Sequence, residues 1–266
     1  MEIIGFIAAI IIGIILGILG GGGSILSVPI LVYLFKLDST TATAYSLFIV
    51  GTSSLIGTFP KYKQNLIDFK AALIFGFPAL LSVYITRKYL IPAIPDEIYK
   101  FSSFIITKSF LTMIVFAILM IFASFSMIRK SKTKSKNQNN STNSNYSLII
   151  LQGSIVGLLT GFVGAGGGFL IIPALMYLCN IPIKKAIGTS LIIIATNSLI
   201  GFMADITNNQ TNIDWKLLLT FTTLTISGIF VGSYLTKFID AQKLKKGFGW
   251  FVLLMGIYII LHEFLF

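Results

Sequence analysis

Two glycine-rich runs carry most of the chemistry this chain can offer. Gly20-Gly21-Gly22-Gly23 precedes Ser24 and Pro29, and Gly164-Ala165-Gly166-Gly167-Gly168 precedes Pro173. Each opens a short apolar segment, 24–36 and 168–180, so each sets the free N–H groups and positive dipole end of a helix at the glycines. Glycine lets a backbone approach a ligand closely, and successive N–H groups form an anion-binding concavity. Gly20, Gly21, Gly22, Gly23, Ser24, Gly164, Gly166, Gly167 and Gly168 are therefore candidate substrate ligands for a small anion. The competing role is close helix packing, which the spacing of Gly13 with Gly17 and of Gly157 with Gly161 favours.

Hydroxyl and amide groups follow each run. Ser46 and Ser53 are seven residues apart on one helical face, as are Ser190 and Asn197. With Thr189 they form a stripe able to hydrogen-bond an oxyanion. Ser and Thr in membrane helices also bond their own backbone or a neighbouring helix, the alternative role for each. The amide of Asn197 is the costliest of these groups to leave in lipid. Asp68 and Asp214 precede helices and read as N-caps. Asp205 closes an apolar segment, as an interfacial carboxylate or as carrier of a coupling proton. Lys108 is read as snorkelling from a helix start, and Arg87 is counted with Lys36, Lys88, Lys100, Lys108 and Lys216 among the basic residues of the less basic face.

Carboxylate pairs, metal-ligand clusters and nucleophile triads are missing from this inventory. One cysteine, Cys179, excludes an internal disulfide, and one histidine, His262, argues against a His-based metal or catalytic centre. Ser24 as a nucleophile on lipid would need a base, and the one histidine, His262, lies near the chain end, far along the sequence from it. No cofactor is implied.

The elements that must position these groups are membrane helices. The chain has 266 residues, 55% hydrophobic and 11% charged, with mean hydropathy +0.91. So little charge cannot cover a soluble surface, and the long apolar runs do not alternate as barrel strands would. A net charge of +11 would suit nucleic acid in a soluble protein; here its placement reports topology, and no nucleic-acid partner is expected. The first apolar run, Ile3–Leu19, lacks a basic leader and a cleavage site, so it reads as part of the fold.

That run has a counterpart at Leu148–Val163, because the chain is a duplication. Gly13–Gly57 aligns with Gly157–Gly201 at about 19 of 45 positions, including Gly20/Gly164, Pro29/Pro173, Ser46/Ser190, Thr52/Thr196 and Ser54/Ser198. After a two-residue insertion the match resumes at Ile67-Asp68-Phe69-Lys70 against Ile213-Asp214-Trp215-Lys216. The expected domains are a first membrane repeat, 1–130, a disordered basic and polar linker, 131–146, and a second repeat, 147–266.

An all-α polytopic fold follows, each repeat having four long helices and a short half-helix after its glycine break. The long helices are expected at 3–19, 41–59, 71–90 and 102–128, and at 147–163, 186–206, 215–236 and 246–265. Counting the short pieces as crossings places about 14 of the 20 basic residues on one face, whereas four crossings per repeat leave no bias. The expected arrangement is thus an inverted-topology repeat in a bacterial inner membrane, with the linker cytoplasmic and both termini outside. The glycine breaks then lie near the midplane, entered from opposite faces.

With these motifs in hand the chain resembles the sulfite exporter TauE/SafE family. The likeness rests on Gly17-Ile-Leu-Gly-Gly-Gly-Gly-Ser24 with Pro29, on Gly161-Phe-Val-Gly-Ala-Gly-Gly-Gly168 with Pro173, and on Ala186-Ile-Gly-Thr-Ser190 and Ile213-Asp-Trp215. It covers nearly the whole chain outside the linker. The resemblance implies a small permease for sulfur-containing anions such as sulfite or organosulfonates. Tyr45 departs from the pattern, standing where the second repeat has Thr189.

The function expected is therefore secondary transport of a small anion by alternating access, one half rocking against the other. The partners would be that anion, the lipid bilayer and a coupling ion, a proton or another. The oligomeric state stays open, with a homodimer one candidate. A lipid-phosphate flippase or a non-catalytic membrane partner protein is the alternative; an enzyme is not expected.

Overall fold

The structure, a computed structural model, describes residues 2–101, 104–128, 146–179, 181–207, 213–236, 238 and 241–265. The expected linker lies outside these apart from Tyr146. The element order is α1 (Glu2–Leu19), a 3-10 turn (Gly22–Leu26), α2 (Ser27–Tyr33), α3 (Ser39–Lys63), α4 (Phe69–Ile85), a π-helical turn (Thr86–Leu90), α5 (Ile91–Ala93), β1 (Glu97–Phe101), β2 (Phe104–Thr107), α6 (Lys108–Ile128), α7 (Tyr146–Val163), α8 (Gly168–Leu178), α9 (Ile183–Thr207), α10 (Trp215–Leu235) and α11 (Ala241–Leu265).

Local chemistry accounts for the helix starts. Asp38, Asp68 and Asp214 cap α3, α4 and α10: their carboxylates accept from the N–H groups of Thr41, of Ala71, and of Lys216 and Leu217, at 3.0–3.1 Å. The all-α expectation is corrected at 102–107. Glu97–Phe101 and Phe104–Thr107 pair as an antiparallel hairpin with Phe101 opposite Phe104. The β-branched run Ile105-Ile106-Thr107 favours a strand, and Thr107 Oγ1 then accepts from Phe110 N at 3.1 Å, which delays α6 to Lys108. The half-helices are also shorter than expected. Gly22–Leu26 forms a 3-10 turn and α2 spans only Ser27–Tyr33, because successive glycines give an α-helix no side-chain support.

Among the described residues, five helices are long and apolar enough to cross a membrane: Ser39–Lys63, Phe69–Ala93, Lys108–Phe125, Ile183–Thr207 and Trp215–Leu235. Ile4–Leu19, Gly22–Tyr33, Ser147–Val163 and Gly249–Leu265 are shorter apolar helices. Large apolar side chains such as Leu73, Phe77, Phe122, Leu254 and Phe264 point outward, each at least 60% exposed, as a lipid-facing surface requires. This is an integral membrane protein.

Each first helix packs along the third long helix of the other half, α1 along α10 and α7 along α4. Small residues make both contacts: Gly13 lies against Thr225 and Gly228, and Gly17 against Ile229 and Gly232. Gly153, Gly157 and Gly161 meet Phe75, Ala79 and Val83 in the same ascending order, so both pairs are parallel. The equivalent helices α3 and α9 instead run antiparallel. Leu47 faces Gly201, Gly51 faces Leu199, and Gly57 faces Leu191. The α6–α11 pair is antiparallel too, with Gly249 on Met127 and Gly256 on Met120.

Candidate functional site

The two glycine breaks meet inside this seam. A Cβ on Gly21 would lie 2.1 Å from Gly168 Cα, so the two backbones touch. Gly20, Gly164, Gly166 and Gly167 have φ of +78°, +73°, +64° and +69°, a region that L side chains rarely enter. Gly167 caps α8, its carbonyl accepting from Leu170 and Ile171 N–H at 2.9 and 3.0 Å. The remaining glycines have tight neighbours: Gly20 faces Ile187 and Ser190 Oγ, Gly23 faces the backbone of Ile12 and Leu16, and Gly167 faces Thr160. Gly22 borders a cavity of about 30 Å3 whose other walls include Leu19, Met127, Phe169, Pro173 and Ile187. That space suits water, not a four-atom oxyanion, so the breaks are closed.

The hydroxyl groups divide into two sets. The first set is already engaged. Ser24 donates to Gly21 O and Ser27 to Ser24 O, both at 2.7 Å, and Ser46 pairs with Ser27. Ser190 donates to Ile187 O at 2.9 Å. Thr189 Oγ1 accepts from Asp68 N at 2.9 Å, and the Tyr45 hydroxyl accepts from Asp214 N. Tyr45 and Thr189 are equivalent positions, and so are Asp214 and Asp68. The two residues thus do one job, each tying the start of the third long helix of the opposite half. Tyr45, the departure from the family pattern, is thus a clasp.

The second set has no partner. Ser53, Ser54, Asn197 and Ser198 are at most 1% exposed, and both amide atoms of Asn197 lack a hydrogen bond. These four are two equivalent pairs, Ser53 with Asn197 and Ser54 with Ser198, on antiparallel helices. Leaving such groups buried and unpaired costs about 1–3 kcal/mol each. Ser198 links the set to a break, its Oγ being 2.8 Å from where a Cβ on Gly166 would stand.

A charged cluster borders the second break. Arg87, on the π-helical turn, is 1% exposed, and its Nη1 donates to Asp205 Oδ2 at 3.0 Å and to Thr43 Oγ1 at 3.2 Å. The guanidinium fills the Cβ side of Gly164, Nη2 lying 2.3 Å from where a Cβ would stand, a place the charge count over the sequence did not foresee. Lys108 is 8% exposed, more enclosed than snorkelling implies. Ser54, Ser198 and Arg87 were absent from the predicted site. The Ser54/Ser198 identity in the repeat could have flagged the first two, but nothing local announces that Asp205 meets Arg87.

Comparison with known proteins fits this architecture. The family model described as sulfite exporter TauE/SafE matches residues 5–259. A probable membrane transporter protein of Xylella fastidiosa is 27% identical over 257 residues, covering 94% of this chain and 91% of that protein. Probable membrane transporter protein YdhB of Bacillus subtilis is 28% identical, covering 89% of this chain and 91% of the relative. Probable membrane transporter protein MJ0441 of Methanocaldococcus jannaschii is 30% identical, covering 75% of this chain and 72% of the relative. No solved structure shows significant similarity to the chain.

Proposed function

Because the chain belongs to the sulfite exporter TauE/SafE family and is a membrane transporter, we propose that its cargo is a small sulfur oxyanion or organosulfonate. The carrying observation is the unpartnered set Ser53, Ser54, Asn197 and Ser198, buried on α3 and α9, with Ser198 beside Gly166 of the second glycine break. Hydroxyl and amide groups left without partners in a closed protein have donors in reserve for an anion. Backbone N–H groups at Gly20–Ser24 and Gly164–Gly168 would supply the rest, with no net cation at the centre. A site of this kind binds weakly enough to release.

The repeats, 1–130 and 147–266, would stand in inverted topology in the inner membrane, with the linker 131–146 cytoplasmic. Support comes from the antiparallel run of α3 against α9 and α6 against α11, since equivalent helices in a parallel repeat would run the same way. The moving parts would be the glycine breaks and the α3–α9 seam. Whole halves rocking against each other fits poorly, because α1 is packed along α10 and α4 along α7. A proton or other ion would couple transport to a gradient.

Uptake of radiolabelled sulfite and methanesulfonate into proteoliposomes, with and without a pH gradient, tests the reading. Gradient-stimulated accumulation of either supports it; transport of no oxyanion under any gradient overturns it.

A further inference from the structure

Arg87 is buried with three of its five N–H donors, one on Nε and two on Nη2, unused. Nη1 serves Asp205 and Thr43, while Nε and Nη2 are enclosed and have no acceptor. Those two nitrogens form one edge of the guanidinium, whose parallel N–H bonds match a pair of oxygens on a single acceptor. A strut between α3, α4 and α9 needs Nη1 alone. Leaving the charged fork empty is costlier than leaving a neutral donor empty, which points to a ligand.

Position supports the same conclusion. The π-helical turn Thr86–Leu90 carries Arg87 onto Gly164, and π-turns inside helices concentrate at functional sites. The cluster also breaks the repeat. Alignment of the halves sets Ile187 opposite Thr43, Lys61 opposite Asp205, and Ser233 opposite Arg87. Among the described residues, the second break alone therefore has a guanidinium against it. The other charged groups near Arg87 are Asp205 on α9 and Lys108 on α6, and Lys108 N–H donates to Asp96 O at 3.0 Å.

We propose that the Nε–Nη2 edge of Arg87 is a second anion station, taking two oxygens of a small oxyanion as it passes the second glycine break. Asp205 and Thr43 are positioning residues that hold the guanidinium from Nη1. This rests on reading the chain as a small-anion transporter, and it makes the transporter asymmetric: an anion meets a fork on one side of the centre and none at the equivalent place on the other. Two parallel donors select sulfite, sulfonates or carboxylates over a halide, which offers one acceptor atom.

Binding of sulfite, methanesulfonate and chloride to the purified full chain in nanodiscs tests this, by calorimetry with Tm recorded for every variant. Arg87→Lys keeps the charge and loses the fork; it should bind the oxyanions at least tenfold more weakly and chloride about as before. Asp205→Asn keeps an oxygen for Nη1 and removes the opposing charge, so oxyanion affinity should rise at least threefold. Unchanged sulfite affinity in Arg87→Lys overturns the proposal. If that variant does not fold, Asp205→Asn decides, and unchanged or weaker binding there overturns it. If the wild type binds and Asn197→Ala abolishes binding while Arg87→Lys does not, the central site stands and the second station falls. Absence of any oxyanion binding by folded wild type overturns the transporter reading itself.

Discussion

Gly21 and Gly168 touch through their backbones, each lying where the other's side chain would begin. Gly21 belongs to the first glycine break and Gly168 ends the second, so the breaks form a single contact between distant stretches of chain. Neither residue can gain a carbon without separating the two breaks. The contact therefore holds the two breaks closed against each other and fixes how near their backbones can come.

Adding a methyl group at this contact should unlock it. Gly21→Ala and Gly168→Ala place a Cβ 2.1 Å from the facing Cα, well inside van der Waals contact. Overpacking of this kind costs about 1–3 kcal/mol. The expected result is a lower Tm for both variants, with transport lost or leaking. Gly247→Ala, where a Cβ meets nothing within 4 Å, is the control and should match the wild type. Wild-type Tm in Gly21→Ala would show that the backbones are not in contact.

Asn197 offers the opposite signature. Its amide makes no hydrogen bond although it is 1% exposed. Removing a buried polar group that has no partner relieves a desolvation cost, which offsets the small cavity left behind. Asn197→Ala is expected to change stability by less than about 1 kcal/mol while lowering sulfite transport at least tenfold. A structural asparagine would show the reverse, a clear loss of Tm with transport per folded molecule retained.

Tyr45 and Thr189 should behave as structural clasps. Each hydroxyl accepts the N–H of a capping aspartate, Asp214 or Asp68. Tyr45→Phe and Thr189→Ala each remove one such bond, worth about 1 kcal/mol net. Both variants should melt earlier, and both should transport normally per folded molecule. A change of cargo preference in either would place that hydroxyl on the ligand.

These contrasts mark what was legible in the residues. The duplication was readable because Gly20/Gly164 and Pro29/Pro173 sit at a constant offset, and capping by Asp68 and Asp214 was readable because an N-cap is a local interaction. The hairpin at Glu97–Thr107 was not, since an apolar run of four or five residues suits helix and strand alike. Among the hydroxyls, sequence could not separate Ser46, paired with Ser27, from Ser53, paired with nothing, because both occupy one helical stripe. Arg87 was out of reach for a similar reason: its partner Asp205 comes from α9, and no local pattern joins the two.

Topology can be read from single cysteines. Cys179→Ser removes the one native thiol, so labelling reports introduced cysteines alone. Lys36 and Lys63 are exposed at opposite ends of α3, and Lys185 is exposed at the start of α9. Because α3 and α9 are antiparallel, the end of one lies on the same face as the start of the other. Lys63→Cys and Lys185→Cys should therefore react with an impermeant maleimide only from the cytoplasmic side, and Lys36→Cys only from outside. A parallel repeat pairs Lys185 with Lys36 instead, since both would precede equivalent helices pointing the same way. Labelling of Lys185→Cys and Lys36→Cys from one face would thus rule out the inverted arrangement, and with it the convergence of the two breaks from opposite sides of the membrane.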